Sequence, residues 1–471
     1  MAGIVAVPRS SDQDVNGLLS GYRWSATSLT YSFPGSAAFY ESGYGSGEPR
    51  NHFETLNTDQ VGAARSALAA IASVTGLTLS EIRESASTHA VLRLAMSDVP
   101  PGAWTYTIGT GPESADTWFG NTIGWYDAPV RGNYAYYAFL HEIGHSLGLK
   151  HGNETGNSGF GALTTPHDSM EYSVMTYRSY PGASIAHVQN EAGGYAQSYM
   201  MSDIAALQAM YGANYGTRSG DTSYAWDPKT GQWFIDGIGQ GIPGANRVFM
   251  TVWDGGGTDT YDFSRYTVGM TIDLQPGHWS KTAAAQTALL GEDHVARGNI
   301  ANALLHENDA RALIENAVGG SFRDKITGNA AANLLKGMDG NDALKSLAGN
   351  DTLVGGAGND ELSGGSGRDV FMFDGKLEAT TNLDRVLDFS VADDTLHLGR
   401  TAFSKAGPGG KLADAAFWSG AKAHDASDRI VYDPATGTLQ YDSDGTGKAA
   451  PVAFALLSKS LNLTPADFFL V

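Results

Sequence analysis

The densest concentration of chemically capable side chains is the run His141 to His151, which reads HEIGHSLGLKH. His141 and His145 stand four apart, and four steps of about 100° return a helix nearly to its starting direction, so both imidazoles share one face. Gly148 can take the positive-φ conformation that ends a helix, which lets the chain turn and bring His151 to the same point. Three neutral nitrogens suit Zn²⁺ and leave a coordination position for water, the pattern of a catalytic and not of a closed structural site. Glu142 stands beside that position. A core helix with hydrogen-bonded histidines would explain one such residue; three histidines with a glutamate and a glycine in register favour the metal.

The pattern HExxHxxGxxH fixes five positions in eleven residues and resembles the signature of the metzincin metalloproteases. Downstream, Ser173-Val174-Met175-Thr176-Tyr177 would by itself be an ordinary strand fragment. Placed a short loop after the histidine helix, it is similar to the metzincin Met-turn, which implies that Met175 forms an apolar floor beneath the ligands. Tyr177 matches a tyrosine of the serralysin branch that binds zinc and swings away. The resemblance therefore implies one catalytic zinc held by His141, His145, His151 and Tyr177. It also implies Glu142 as general base and a released Tyr177 as stabiliser of the oxyanion.

Composition bounds what surrounds this run. At 471 residues the chain is too long for one small core, and two or more domains are expected. It has no cysteine, so neither a disulfide nor a thiol that caps the zinc is available. The net charge of −20 disfavours nucleic acid and anionic lipid and favours cations. The N-terminus does not read as a secretory signal peptide, and no segment approaches the ~20 apolar residues of a membrane span. Taken alone these absences point to the cytosol; the C-terminal half points outside the cell.

Elements able to position the histidines follow from periodicity. Residues 1–20 read as a polar, loosely structured pro-segment or N-terminal arm. Leu29, Tyr31 and Phe33 alternate as in a half-buried strand. Val61, Ala64, Leu68 and Ile71 mark a helix with Thr58 or Asp59 as N-cap and Gly76 as its stop. Strands are expected at 77–79, 90–95 and 103–108, and the resemblance to the metzincins implies that the last is the sheet edge along which a peptide pairs. The histidine helix should start near Asn133, with Phe139, Leu140, Ile143 and Leu147 facing the core. A further helix, capped at Ser202 and stopped by Gly212, leads to a boundary near residue 215. The fold class is thus α+β, a mixed twisted sheet with helices, for a metzincin unit over 21–215.

Beyond the boundary the chain repeats every nine residues over 319–372, with Asp324, Asn333, Asp342, Asp351, Asp360 and Asp369 in one phase. Ile326, Leu335, Leu344, Leu353, Leu362 and Phe371 share another, which a flexible glycine-rich linker would not maintain. The copies match the nonapeptide of calcium-binding repeats-in-toxin proteins. Two repeats make one coil of an all-β parallel β-roll or sandwich over 216–471, so turns 18 residues apart stack and their oxygens enclose Ca²⁺, which takes 6–8 oxygen ligands. Asp342 with Asp360, and Asp351 with Asp369, are the best pairs. Asp324 with Asp342 is weaker because Phe322 stands where glycine is usual, and Asn333 with Ala331 makes a poor site.

From residue 21 to 471 the chain resembles the serralysins, secreted bacterial zinc endopeptidases with a calcium-bound β-roll. The resemblance implies several structural calcium ions. Their repeat ligands would be Gly320, Asp324, Gly337, Asp339, Gly340, Asp342, Gly349, Asp351, Gly355, Ala357, Asp360, Gly364, Ser366 and Asp369. Two further loops supply Arg218, Gly220 and Thr222, then Asp254, Gly256, Gly257 and Asp259, joined by Glu315; alone these would read as solvated acidic loops. The last residues, Asp467 to Val471, resemble an uncleaved type I secretion signal, or else form a C-terminal strand. Implied partners are protein or peptide substrates, the type I secretion apparatus and a proteinaceous inhibitor, for a monomeric extracellular enzyme. Segments 152–170 and 179–194 follow no serralysin pattern closely. The rival readings are a non-catalytic calcium-dependent surface or adhesion protein with a relic metzincin domain, and a zinc hydrolase acting on something other than peptides.

Overall fold

The computed structural model describes residues 3–155 and 159–471. Met1 and Ala2 of the expected N-terminal segment, and 156–158 of the loop after His151, lie outside the described residues. The first half is built on a five-stranded sheet. Its strands are β1 (Ser28–Ser32), β2 (Thr78–Glu81), β3 (Leu92–Ser97), β4 (Ala103–Thr105) and β5 (Thr117–Gly120), in the order β2-β1-β3-β5-β4. All neighbours are parallel except β4, which runs antiparallel to β5 and forms the sheet edge. Strand β3 is buried at every position, as a strand covered on both faces must be.

Helices α1 (Thr58–Val74) and α2 (Tyr134–Ser146) pack on this sheet, and α3 (Met201–Tyr211) packs against α1. Two caps differ from expectation. Helix α1 is capped by Asn57 and not by Thr58 or Asp59, because the Gln60 side chain reaches back to the Asn57 amide and completes a reciprocal box. It ends at Thr75, one residue before Gly76. Helix α3 starts after Met200 and not at Ser202, because the Asp203 carboxylate accepts from the Met200 amide at 2.9 Å. Helix α2 begins as expected, with the Asn133 side chain accepting from the Tyr136 amide at 2.9 Å. The edge strand is shorter than 103–108 because the chain leaves the ladder after Thr105.

The N-terminal segment is not a loose arm. Leu18 and Leu19 are fully buried, and the chain around them is stitched to the turn that carries His151. The Lys150 amide donates to Leu18 O at 2.8 Å, and Ser20 N to Gly148 O at 3.0 Å. The buried Lys150 ammonium donates to Gly17 O at 2.5 Å and Glu154 O at 2.7 Å. Gln13 and Asp14 bond the far side of the same loop, at Ala162 O (2.8 Å) and Thr164 N (2.8 Å).

The second half is all-β, with one sheet of eleven strands facing another of nine. In the repeat region alternate copies feed alternate sheets, with parallel neighbours 18 residues apart. Leu335 pairs with Leu353, and Leu353 with Phe371, in one sheet; Ile326 pairs with Leu344, and Leu344 with Leu362, in the other. These side chains are buried between the sheets, so the apolar position of each nonapeptide is the core of the roll. The final strand, Phe468–Leu470, joins the larger sheet beside Thr395–Leu398 and buries Phe468 and Leu470. The hydrophobic core of the first half continues past residue 215, drawing in Phe249, Trp253, Ala288, Leu290 and Ala296.

Since Leu18 is buried beneath the His151 turn, Leu18→Ala should cost about 2–5 kcal/mol of stability, as for other large-to-small core changes. Chemical denaturation checks this; a loss under about 0.5 kcal/mol, the scale of surface substitutions, would mean the segment is as loose as its composition suggests.

Candidate metal centre

Helix α2 presents His141 and His145 on one face, and Gly148, at φ +100°, turns the chain so that His151 comes alongside. A side chain at Gly148 would meet Tyr22 O at 2.5 Å, so glycine is required for space as well as for conformation. The three Nε2 atoms lie 3.0 to 3.2 Å from one another. Every Nδ1 faces an oxygen: Val174 O at 2.7 Å for His141, Leu149 O at 2.9 Å for His145, and the Glu154 carboxylate at 2.7 Å for His151. Carbonyls only accept, which places a proton on Nδ1 of His141 and His145, and the Glu154 carboxylate does the same for His151. Three lone pairs therefore converge with no proton between them. Burial holds all three imidazoles below their ordinary pKa, and with His145 and Lys150 nearby it takes His151 down to about 3.

This donor set fits zinc: bonds of about 2.0–2.1 Å to a tetrahedral ion separate ligands by about 3.3 Å. The trio is one of two groups of at least three potential ligands among the described residues. The Tyr177 hydroxyl lies 2.8 Å from His151 Nε2, within reach of the same centre. Burial, with Glu142 adding to it, pushes the Tyr177 phenol up to about 12 and keeps it protonated. Met175 is fully buried below the trio, and a Cβ on Gly144 would meet its sulfur at 2.7 Å, so helix and turn fit only with glycine there.

Glu142 is buried, and burial pushes its carboxyl up to about 7, opposed by a hydrogen bond from Thr105. Thr105 Oγ1 lies 2.9 Å from Glu142 Oε2, 2.9 Å from Glu142 O and 2.9 Å from Thr117 Oγ1. Sequence reading missed three supporting residues: Thr105 on the edge strand, Glu154 on His151, and Asp203. The Asp203 carboxylate binds Ser173 Oγ at 2.6 Å and Val174 N at 2.8 Å, so helix α3 holds the Met175 turn. Thr105 lay in a strand already singled out, whereas Asp203 and Glu154 carry no signal outside the fold. Two cavities flank the trio. One of about 620 Å³ is lined by Trp125, Tyr134, Tyr137, Tyr195 and Val188; the other, of about 250 Å³, by Thr107, Ile108, Leu149 and Glu154. Ala103, Glu142 and Tyr177 border both.

The aspartates of the repeats form two ladders, each backbone amide donating to the carboxylate one coil on. Asp324 N meets Asp342 Oδ1 at 2.7 Å, Asp342 N meets Asp360 Oδ1 at 2.7 Å, and Asp351 N meets Asp369 Oδ1 at 3.0 Å. The second oxygens of Asp342, Asp351, Asp360 and Asp369 are buried without any hydrogen-bond partner, as is Asp259 Oδ2. Orphaned anionic oxygens of this kind fit a hard cation. The close-packed glycines fit the same picture: a Cβ on Gly337, Gly355 or Gly364 would lie 2.3 Å from the Oδ2 of Asp342, Asp360 or Asp369. Gly340 and Gly349 hold φ +138°, and their amides donate to Ala357 O and Ser366 O. Asp339 is exposed and adds its charge to the field that raises Asp342.

The weaker positions behave differently. Both oxygens of Asp324 are bonded, to Met270 N and Gly320 N at 2.7 Å each. The Asn333 amide is spent on Glu315 O at 2.7 Å and Asn329 Oδ1 at 3.1 Å. The separate loops come together: Asp259 Oδ1 accepts from Thr222 N at 2.8 Å, Glu315 Oε2 from Asp259 N at 2.7 Å, and Asp254 Oδ1 from Gly256 N at 2.8 Å. A Cβ on Gly257 would touch Gly220 O at 2.5 Å, and the Arg218 guanidinium lies 3.8 Å from Asp254. The ladders also run further than the nonapeptides: Asp360 N meets Asp384 Oδ1 at 3.1 Å and Asp369 N meets Asp394 Oδ1 at 2.9 Å. Sequence reading missed both because insertions break the 18-residue step.

A histidine trio able to hold a metal ion, set ahead of a roll lined with orphaned carboxylates, describes a protein with a candidate metal centre and a repeat-built C-terminal half. Comparison with known proteins places it further. Residues 213–407 match the family described as Peptidase M10 serralysin C terminal. The chain is 32% identical over 339 residues to Metalloprotease AprA of Pseudomonas entomophila (strain L48), covering 68% of this chain and 64% of that relative. It is 31% identical over 284 residues to Serralysin C of Dickeya chrysanthemi, covering 58% and 54%, and 34% identical over 239 residues to Serralysin of Proteus mirabilis, covering 49% and 42%. The chain thus spans less than two thirds of the length of these relatives. The chain is thus similar to the serralysins, with residues 213–407 matching their C-terminal family.

The ladder carboxyls give a pH dependence. Burial raises Asp342 from 3.8 to about 7 and raises Asp351, Asp369 and the Asp360–Asp384 pair as well. A carboxyl raised in the fold holds a proton that the unfolded chain has already released. Its contribution is complete below the unfolded value and is lost as pH rises through the folded one. The metal-free protein should therefore melt at a lower temperature at about pH 8 than at about pH 5. Calcium added near pH 6 should release protons into weak buffer. A melting temperature that rises across that range, or calcium binding without proton release, would contradict the assignment.

Proposed function

We propose that the protein is a secreted zinc-dependent endopeptidase of metzincin type, with residues 21–215 as its catalytic unit and 216–471 as a β-roll folded by calcium. The observation that carries this reading is the set of three unprotonated Nε2 atoms within 3.2 Å of one another, bordered by the buried Glu142. His141, His145 and His151 would hold Zn²⁺, which would supply Lewis acidity towards a water and the scissile carbonyl.

This chain's own residues do the rest. Glu142, with a proton affinity raised towards neutrality by burial, takes the proton of the attacking water at its carboxylate and delivers it to the leaving amine. The bond from Thr105 holds that carboxylate in one orientation while leaving it an oxygen for the proton. The Tyr177 hydroxyl, protonated and able to leave His151, donates to the developing oxyanion. Strand β4 presents an unpaired edge bordering both cavities, so an extended polypeptide can add to the sheet with its scissile bond over the trio.

The C-terminal half supports secretion. Without calcium the closely spaced aspartates repel; calcium neutralises them and contributes folding free energy. Extracellular calcium would thus fold the roll after export by a type I apparatus, for which Asp467–Val471 is the candidate signal.

Glu142→Gln should lower casein hydrolysis by about 10²–10⁴-fold while zinc content stays at that of the wild type. A zinc-loaded variant cleaving at the wild-type rate would sink the mechanism, and a wild type inert towards casein and peptide libraries would favour the relic or non-peptide readings. Thr105→Val should reduce kcat by roughly tenfold with zinc binding unaltered, the scale of one hydrogen bond to a charged group. An unchanged kcat would mean that Thr105 does not orient the base.

A further inference from the structure

The larger cavity is bounded on its outer side by Ala186, His187 and Val188, which belong to segment 179–194. That segment contains neither helix nor strand, so its position depends on what it is tied to. Internally, Gln189 N donates to Ser179 Oγ at 2.6 Å. The stronger ties run to residues far along the chain. The Arg247 guanidinium grips the Glu191 carboxylate in a fork, at 2.6 and 2.9 Å. Leu289 N donates to the same carboxylate at 2.8 Å, and Glu191 N returns a bond to Leu289 O at 2.9 Å. The His294 ring stacks on Tyr180 with centroids 3.5 Å apart and planes nearly parallel at 6°. Immediately after the segment, Gln197 N donates to Phe249 O at 2.9 Å, which sets the backbone that carries Tyr195 into the cavity.

The interior of that cavity is aromatic. Tyr195 packs against Tyr134 and Tyr137 with ring centroids 5.6 Å apart in each case. Among the described residues no lysine or arginine lines it, and the one carboxylate there, Glu142, is held by Thr105. A charged side chain would be desolvated there without a partner, and an alanine would leave most of about 620 Å³ unfilled.

We propose that Arg247 and His294 are positioning residues through which the C-terminal half fixes the outer wall of this cavity, making it selective for a large uncharged side chain, aromatic or long aliphatic, next to the scissile bond. The proposal rests on the endopeptidase reading for its substrate, but the clamp itself does not. With the fork broken, the wall loses two of the bonds that stand in for secondary structure and is held less firmly, so a ring gains less contact. Selectivity then falls through KM more than through kcat, because the reacting groups on helix α2 are untouched.

The test uses the full chain loaded with zinc and calcium, in wild-type, Arg247→Met, Arg247→Lys and His294→Ala forms, with hydrogen exchange and a peptide library read in parallel. In Arg247→Met, amides of 179–194 should exchange at least about tenfold faster, as for a locally released segment. Arg247→Lys should recover part of that protection, since one ammonium replaces a fork. The preference for Phe over Ala at the position facing the cavity should fall by about tenfold, within the range for pocket discrimination. His294→Ala should shift both readouts the same way, and it carries the test if Arg247→Met does not fold. Wild-type exchange in the variants overturns the clamp; faster exchange with an unchanged Phe/Ala ratio overturns its role in selectivity. A wild type that cleaves none of the peptides overturns the endopeptidase reading and the selectivity with it, while the exchange data still decide whether Arg247 holds the wall.

Discussion

Three imidazole lone pairs pointed at one another are a repulsive arrangement, and the fold imposes it. Each ring is fixed from behind by an oxygen: two main-chain carbonyls and one carboxylate, from the Met175 turn, the end of the helix and the loop after it. None of these acceptors can turn the ring over without losing a bond to a buried or half-buried group. The remaining Nε2 atoms therefore have nothing to accept from except a cation or the Tyr177 hydroxyl. Asp203, the Asn133 cap, Gly144 against Met175 and the Lys150 stitch to Gly17 can all be understood as holding those three acceptors in place.

The roll repeats this logic with oxygen in place of nitrogen. In each ladder one carboxylate oxygen is committed to the amide of the coil before it, and in the central four aspartates the other is buried with no donor. A chain optimised for metal-free stability would not bury unpaired anionic oxygens in register. Local rules broken in register, against a background where they are otherwise obeyed, are the pattern expected of binding positions. The substituted copy behaves differently: where Asn333 replaces aspartate, the side chain can donate, and it satisfies its neighbours with no orphan left.

What the sequence disclosed follows from the distance over which each signal acts. The histidine helix, its Asn133 start and the Gly148 turn lie within a few residues of one another and were legible. So was the nine-residue period, because every copy restates it. Capping was less legible: Asn57, Thr58 and Asp59 are all competent caps, and only the Gln60 side chain, folded back, selects the first. The N-terminal segment looked loose because Gln13 and Asp14 are polar, yet their partners at Ala162 and Thr164 are about 150 residues away. Asp384 and Asp394 escaped because six or seven extra residues shift them out of phase, although the strands they lead into keep the ladder.

The core of the first half does not close without residues from the second. Phe249, Trp253 and the 288–296 loop fill it, and the same stretch supplies Arg247 and His294 to the cleft wall. Ala288 and Leu290 reach that core from a loop whose own neighbours include the strands 250–252 and 300–302, which pair with each other before the repeats begin. The segment linking histidine trio and roll is therefore shared structure, packed on one side against tyrosines of the cleft and on the other against the sheets. If the roll folds only when its carboxylates are neutralised, the wall of the cleft gains its full set of contacts only then. Substrate selection and cation supply would be coupled by packing alone, with no ligand shared between the two metal environments.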